Sequence, residues 1–238
     1  MPKLEDLSVR IFADGADLKA MVELARLPYI AGFTTNPTLM RKAGVRDYRA
    51  FARDVLQAIP DRPISFEVFS DDFDEMERQA QEIASWGDNV YVKIPISDTG
   101  GVPARDLIRR VAKGGVKLNI TGILTLEQVR EASDALADGV ESCVSVFAGR
   151  IADTGRDPVP MMASAVKLLR RHPGQQLIWA SPRELLNIFQ ADAIRCDIIT
   201  VTHDLLARLP LVGKDLAEYS LDTVRMFHRD AREAGYNL

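Results

Sequence analysis

The sequence predicts a (β/α)8 barrel, an α/β fold built as a single domain over residues 1–238 with an additional C-terminal helix. Three observations lead there. Eight short runs of β-branched and apolar residues recur at intervals of roughly 21–34 residues, the length a βα unit needs. Stretches with helical periodicity lie between them. The length of 238 residues falls in the range of roughly 200–250 that α/β barrels commonly fold as one domain. The other α/β option is an open, doubly wound sheet. No Gly-x-Gly-x-x-Gly or Gly-x-x-x-x-Gly-Lys loop is present, so a nucleotide-binding version of it has no support.

Strands are expected at 8–13, 30–35, 64–69, 90–94, 116–121, 142–147, 176–181 and 197–201. Each is too short for a buried helix and rich in Val, Ile or Phe, as a strand covered on both faces should be. Helices are expected at 71–86, 103–112, 125–137, 158–171 and 183–193. Thr125-Leu126-Glu127-Gln128 reads as a capped helix start, and Asp157-Pro158 places Pro in a first turn. The tail, 213–238, holds a further helix with Leu216, Tyr219, Val224 and Phe227 as its apolar face. No linker or low-complexity stretch divides the chain.

Composition narrows the function classes. With 47% hydrophobic and 27% charged residues the chain is ordinary globular protein. A net charge of −4 argues against nucleic acid or an anionic membrane as partner. Cys143 and Cys196 fit neither a disulfide framework nor a zinc pattern. No early apolar signal segment and no membrane-length apolar run occur, so a soluble, cytoplasmic protein is expected.

The polar residues at the C-terminal strand ends carry the chemistry, because barrels build their active sites there. Lys93 is a lone ammonium inside Asn89-Val90-Tyr91-Val92-Lys93-Ile94-Pro95. A buried cation is costly unless paired or neutralised, and a neutral amine can condense with a carbonyl to a Schiff base. A strand-end lysine snorkelling to solvent is the plainer reading. Glu67, between Phe66 and Val68, is a buried carboxylate that needs a partner, and Lys93 across the lumen could be it. Asp14 and Asn36 could cap helices, as could Thr121 and Ser181. Together with Thr35, Asn119 and Ser145, however, these residues form a polar ring around one lysine, which capping alone does not predict.

These residues also carry a family resemblance over nearly the whole chain. Gly32-Phe33-Thr34-Thr35-Asn36-Pro37-Thr38 resembles the highly specific Gly-x-Thr-Thr-Asn-Pro-[Ser/Thr] signature of the transaldolases, class I aldolases with a (β/α)8 barrel. Val92-Lys93-Ile94-Pro95 is similar to the segment around their Schiff-base lysine, and Asn119-Ile120-Thr121 to their strand-five Asn-x-Thr. Ser145-Val146-Phe147-Ala148-Gly149-Arg150-Ile151 and Ala180-Ser181-Pro182-Arg183 resemble the strand-six and strand-seven motifs. Gly15, Val146 and Pro182 depart from the usual residues at their positions.

The resemblance implies that Lys93 attacks the C2 carbonyl of a ketose phosphate and that Asp14 takes the C4 hydroxyl proton. Glu67 and Thr121 would shuttle protons through a water. Asn36, Asn119 and Ser145 would hold the dihydroxyacetone hydroxyls, Thr35 and Phe147 would also touch the substrate, and Arg150, Ser181 and Arg183 would bind the phosphate. Fructose 6-phosphate or sedoheptulose 7-phosphate would be the donor, and erythrose 4-phosphate or glyceraldehyde 3-phosphate the acceptor, within the pentose phosphate pathway. No metal or organic cofactor is implied. The related fructose-6-phosphate aldolases carry Gln and Tyr where this chain has Glu67 and Phe147, so both positions point to the transferase. An inactive barrel serving as a binding or assembly protein should have lost one of Asp14, Asn36, Glu67, Lys93 and Thr121; all are present. A metal-dependent aldolase lacks a His cluster, since His172, His203 and His228 fall in expected helices or loops. The resemblance further implies a homo-oligomer, a decamer or pentamer, with Met226, Phe227 and Tyr236 of the tail as apolar anchors on a neighbour.

Overall fold

In the computed structural model, which describes residues 4–136 and 141–237, eight parallel strands close into a barrel in sequential order. They are β1 (Arg10–Asp14), β2 (Ile30–Thr34), β3 (Ile64–Glu67), β4 (Val90–Pro95), β5 (Leu118–Ile123), β6 (Ser142–Val146), β7 (Gln175–Trp179) and β8 (Ile198–Thr202). The helices outside them are α1 (Leu18–Ala25), α2 (Pro37–Lys42), α3 (Tyr48–Ala58), α4 (Phe73–Ala84), α5 (Arg105–Lys113) and α6 (Leu126–Ala135). After them come α7 (Ala148–Ala152), α8 (Val159–Leu169), α9 (Leu186–Ala193), α10 (His203–Leu206) and α11 (Leu216–Glu233). All eight expected strands and the five expected helices are present, with the C-terminal helix.

The two-residue period of a strand sorts the core into two shells. Outward residues such as Phe33, Phe66, Val92, Val144 and Trp179 join the helices in the main apolar cluster. Inward residues Phe12, Tyr91, Cys143, Ile178 and Ile198 form a second cluster inside the barrel. Gly32 makes room for it, because a Cβ there would stand 2.6 Å from the Phe12 ring. The same parity, continued toward the C-terminal ends, places Asp14, Thr34, Glu67, Lys93, Thr121, Ser145 and Thr200 around one cleft.

Helix starts follow side-chain capping. Asp17, Asn36, Asp47 and Asp72 cap α1 to α4, and Thr125 with Gln128 forms a full capping box on α6. Strand five begins later than expected, because Val116 still bonds back to Val111, and it runs on to Ile123 through Gly122 at φ +77°. Strand seven stops at Trp179 because Ser181 lies in the left-handed region at φ +62°. Helix α9 starts at Leu186 rather than 183, since Asn187 Oδ1 accepts from the Arg183 and Glu184 amides instead. The expected end of the sixth helix, Ala137, lies outside the described residues, as does Leu238.

No helix of the described residues is long and apolar enough to cross a membrane. In α11 no residue is buried, and Tyr219, Val224, Met226 and Phe227 all stand exposed.

Candidate active site

Lys93 lies on the floor of the cleft and is 6% exposed. Strand register sets Glu67 beside it, and the Lys93 ammonium meets the Glu67 carboxylate at 3.2 Å. Lys93 Nζ also donates to the Thr35 carbonyl at 2.9 Å. Thr35 itself is turned away, its hydroxyl donating to the Ser65 carbonyl, so it contributes backbone rather than side chain. Glu67 is fixed from behind by Tyr48 of α3, whose hydroxyl donates to the Glu67 carbonyl and accepts from the Glu67 amide. Burial holds the Tyr48 phenol well above its ordinary range, which keeps it a neutral donor. The ion pair answers the cost of burying Lys93 and leaves its nitrogen on a defined line into the cleft.

Asp14 does not cap a helix; Asp17 has that task. Its carboxyl sits deep in the barrel mouth, where burial raises its pKa against the lowering effects of Lys93 and of a hydrogen bond from Thr34. Thr34 Oγ1 donates to Asp14 Oδ1 at 2.8 Å, and Thr200 Oγ1 lies in hydrogen-bond contact with Thr34 Oγ1. A carboxyl with a raised pKa beside an amine is suited to taking and returning a proton.

Asn119 and Ser145 form one buried pair, with the Ser145 hydroxyl donating to Asn119 Oδ1 at 2.7 Å. Asn119 in turn donates to the Ser65 hydroxyl at 3.1 Å. Ser145 faces the cleft; Asn119 stands behind it and fixes its orientation. Thr121 Oγ1 is buried and has no hydrogen-bond partner among the described residues. A buried hydroxyl with its capacity unused is a docking point for a water or a substrate hydroxyl. Asn36 serves two roles, capping α2 through Leu39 N at 3.0 Å while lining the cleft.

At the rim, Arg150 of α7 lies 5.6 Å above the Phe147 ring, a cation–π contact that leaves its charge facing the cleft. Arg183 is set differently. Its Nε donates to Asp153 Oδ1 at 2.8 Å and its Nη2 pairs with Asp153 Oδ2 at 2.5 Å. Hydrogen bonding by Arg183 holds the Asp153 carboxyl below the usual range. Ser181 and Arg150 line the cleft, whereas Arg183 stands just outside it, with Nη1 3.4 Å from the Ser181 hydroxyl. Gly149 allows this approach: a Cβ there would come within 1.6 Å of the Ser181 carbonyl oxygen.

The cleft encloses about 430 Å³, large enough for a small phosphorylated sugar, and holds a cation, an amine, two carboxyls and a set of hydroxyls. Of the residues expected from sequence, Asp14, Asn36, Glu67, Lys93, Thr121, Ser145, Phe147, Arg150 and Ser181 line it; Thr35, Asn119 and Arg183 support it from one layer out. Thr200, Ser65, Tyr48 and Asp153 escaped sequence reasoning. Parity could have found two of them, since Thr200 is two positions beyond the inward Ile198, and Ser65 two before Glu67. Tyr48 and Asp153 left no such signal, since their partners are far away in sequence. Among the described residues no cluster of three or more His, Cys, Asp or Glu side chains is arranged to hold a metal ion.

Comparison with known proteins identifies the family and the fold. A model of the family described as transaldolase/fructose-6-phosphate aldolase matches residues 11–238. A probable transaldolase of Dehalococcoides mccartyi is 33% identical over 218 residues, covering 90% of this chain and 97% of that one. A probable transaldolase of Thermoanaerobacter sp. is 31% identical over 231 residues, covering 97% and 100%. Among solved structures, dihydrodipicolinate synthase of Rhodopseudomonas palustris shares a TM-score of 0.59 at 13% identity, covering 93% of this chain and 80% of that one. At that identity the likeness is one of fold alone.

Proposed function

The chain belongs to the transaldolase/fructose-6-phosphate aldolase family, and from that premise we propose that it is a transaldolase carrying a dihydroxyacetone unit between sugar phosphates on Lys93. The observation that carries the reading is a buried amine held at 3.2 Å from Glu67, with the Asp14 carboxyl and the Thr121 hydroxyl, unpartnered among the described residues, around it.

Lys93 Nζ adds to C2 of the ketose phosphate, and the carbinolamine loses water to give an iminium. Glu67 and Thr121 move the protons of that step through a water. Asp14 takes the C4 hydroxyl proton, the C3–C4 bond breaks, and its electrons flow into the iminium to leave an enamine. The aldose phosphate departs. The enamine carries no charge, so the cationic neighbour that favoured the Asp14 carboxylate is gone, and Asp14 keeps its proton. When the enamine attacks an acceptor aldehyde, the new alkoxide recovers that proton and the iminium returns. Hydrolysis then frees the ketose and Lys93. Arg150 and Arg183 supply the phosphate end, where guanidinium geometry suits phosphate oxygens.

Glu67 and Phe147 favour transfer over simple cleavage. Phe147 offers no hydroxyl to position a water or protonate the enamine, so the enamine waits for an acceptor. The soluble cytoplasm fits such substrates, and the uncovered apolar face of α11 fits a contact with another copy of the chain. Light scattering on the protein cut after Gly213 tests that contact: a monomeric parent with unchanged activity after truncation would rule it out.

Borohydride added with fructose 6-phosphate should inactivate the enzyme and leave a reduced dihydroxyacetone adduct on Lys93. Without borohydride, erythrose 4-phosphate should be needed for sedoheptulose 7-phosphate to form. An adduct on Lys113 or Lys117 with Lys93 unmodified would overturn the assignment, and stoichiometric free dihydroxyacetone without acceptor would make the enzyme a lyase.

A further inference from the structure

We infer that Thr200, acting through Thr34, is a positioning residue that orients Asp14 for its proton transfer. The inference rests on the transaldolase reading above. Thr34 Oγ1 has one proton and two close oxygen neighbours, Asp14 Oδ1 at 2.8 Å and Thr200 Oγ1. An ionised carboxylate only accepts, so the Thr34 proton points at Asp14. The Thr34–Thr200 contact then has a single consistent direction, with Thr200 donating. The result is a two-hydroxyl donor chain, Thr200 to Thr34 to Asp14, reaching from β8 through β2 to β1.

The chain does two things. It pins Oδ1, and since no hydrogen bond from the described residues falls on Oδ2, that second oxygen is the one left to face the cleft. It also supports the carboxylate form, because a hydroxyl that itself accepts a hydrogen bond is a stronger donor. The charged groups facing Asp14 are Lys93 from β4, which favours the carboxylate, and Glu67 from β3, which opposes it. The strands flanking β1 add only hydroxyls at this level, Thr34 and Thr200. Both are buried, 3% and 6% exposed, so bulk water does not replace either one readily. Below them the Phe12 ring fills the space over Gly32 and prevents the layer from sinking.

Thr200→Val keeps the shape and removes the donor; Thr200→Ser restores the donor. In the full-length protein, the Asp14 carboxyl resonance followed by NMR should titrate at higher pH in Thr200→Val and Thr34→Val than in the parent, and Thr200→Ser should return it. With fructose 6-phosphate and erythrose 4-phosphate, Thr200→Val should lower kcat by about three- to tenfold, the worth of one hydrogen bond, with KM little changed. Its acid limb should move to higher pH, while borohydride trapping on Lys93 continues. In an Asp14→Asn background, Thr200→Val should cost nothing further. An unmoved Asp14 titration, a Thr200→Ser as impaired as Thr200→Val, or an additive loss in the Asp14→Asn background would each overturn the inference. If the titration moves while Asp14→Asn leaves cleavage intact, the link between Thr200 and Asp14 stands and the transaldolase reading of Asp14 falls.

Discussion

Replacing Gly149 by alanine tests how the arginine-bearing rim of the cleft is built. The added Cβ would lie 1.6 Å from the Ser181 carbonyl oxygen and 2.7 Å from its carbon, both backbone atoms. No side chain can rotate away, so α7 and the turn after β7 must part until the contact reaches at least 3.0 Å. Ser181 already holds φ +62° and has little freedom to retreat. Overpacking of this kind costs typically about 1–3 kcal/mol, and a rigid backbone collision belongs at the upper end. For a chain of this size about 3 kcal/mol corresponds to roughly 6–12 °C in Tm. The opening also moves Arg150 away from Ser181, so KM for phosphorylated sugars should rise while Schiff-base trapping on Lys93 persists. Calorimetry with steady-state kinetics reads both. A variant melting within about 2 °C of the parent, with unchanged KM, would show that the two segments are not locked together as described.

Two further substitutions separate chemistry from binding. Asp14→Asn should leave Lys93 able to form its Schiff base but slow C–C cleavage by about 10²–10⁴-fold, the usual span for a lost general base. The same change should affect stability with a defined sign. Because the folded state raises the Asp14 pKa above its usual 3.8, the native protein loses stability as pH climbs from that value through the raised one. Asp14→Asn removes that loss, so its Tm should exceed the parent's at neutral pH and the gap should close in acid; a constant gap would contradict the burial argument. Arg183→Ala should scarcely change Tm, since its pair with Asp153 is about half exposed on both sides, 44% and 52%, and such pairs contribute about 1 kcal/mol at most. It should instead raise KM for phosphorylated substrates by about ten- to a hundredfold, the worth of a charged hydrogen bond. An equal effect on unphosphorylated sugars would remove Arg183 from the phosphate site.

The barrel was legible because its signal is repeated: eight β-branched runs spaced by helical stretches leave few other folds. Boundaries moved where single backbone conformations intervene, as at Gly122 and Ser181, and propensity does not encode these. Lys93 and Glu67 stood out because a charge inside an apolar run contradicts its surroundings. Thr200 did not, since threonine is an ordinary strand former and its hydroxyl raises no conflict. Asp153 carried no signal in the sequence, because its partner Arg183 lies 30 residues away and meets it only in the fold. The caps divided in the same manner. Asn36 does cap a helix, while Asp14, at another strand end, leaves that task to Asp17 and turns inward.

The inward cluster of Phe12, Tyr91, Cys143, Ile178 and Ile198 packs the interior beneath Lys93, which makes the cleft a cul-de-sac. Everything that reaches the amine must arrive, and leave, by one doorway. In the cycle proposed above, the departing aldose and the incoming one therefore cannot pass each other; the first has to clear the threshold before the second crosses it. During that interval the proposed three-carbon enamine stays on the lysine. For the transfer cycle proposed above, the order of entry and exit is thus set by the five side chains that close the far end of the barrel.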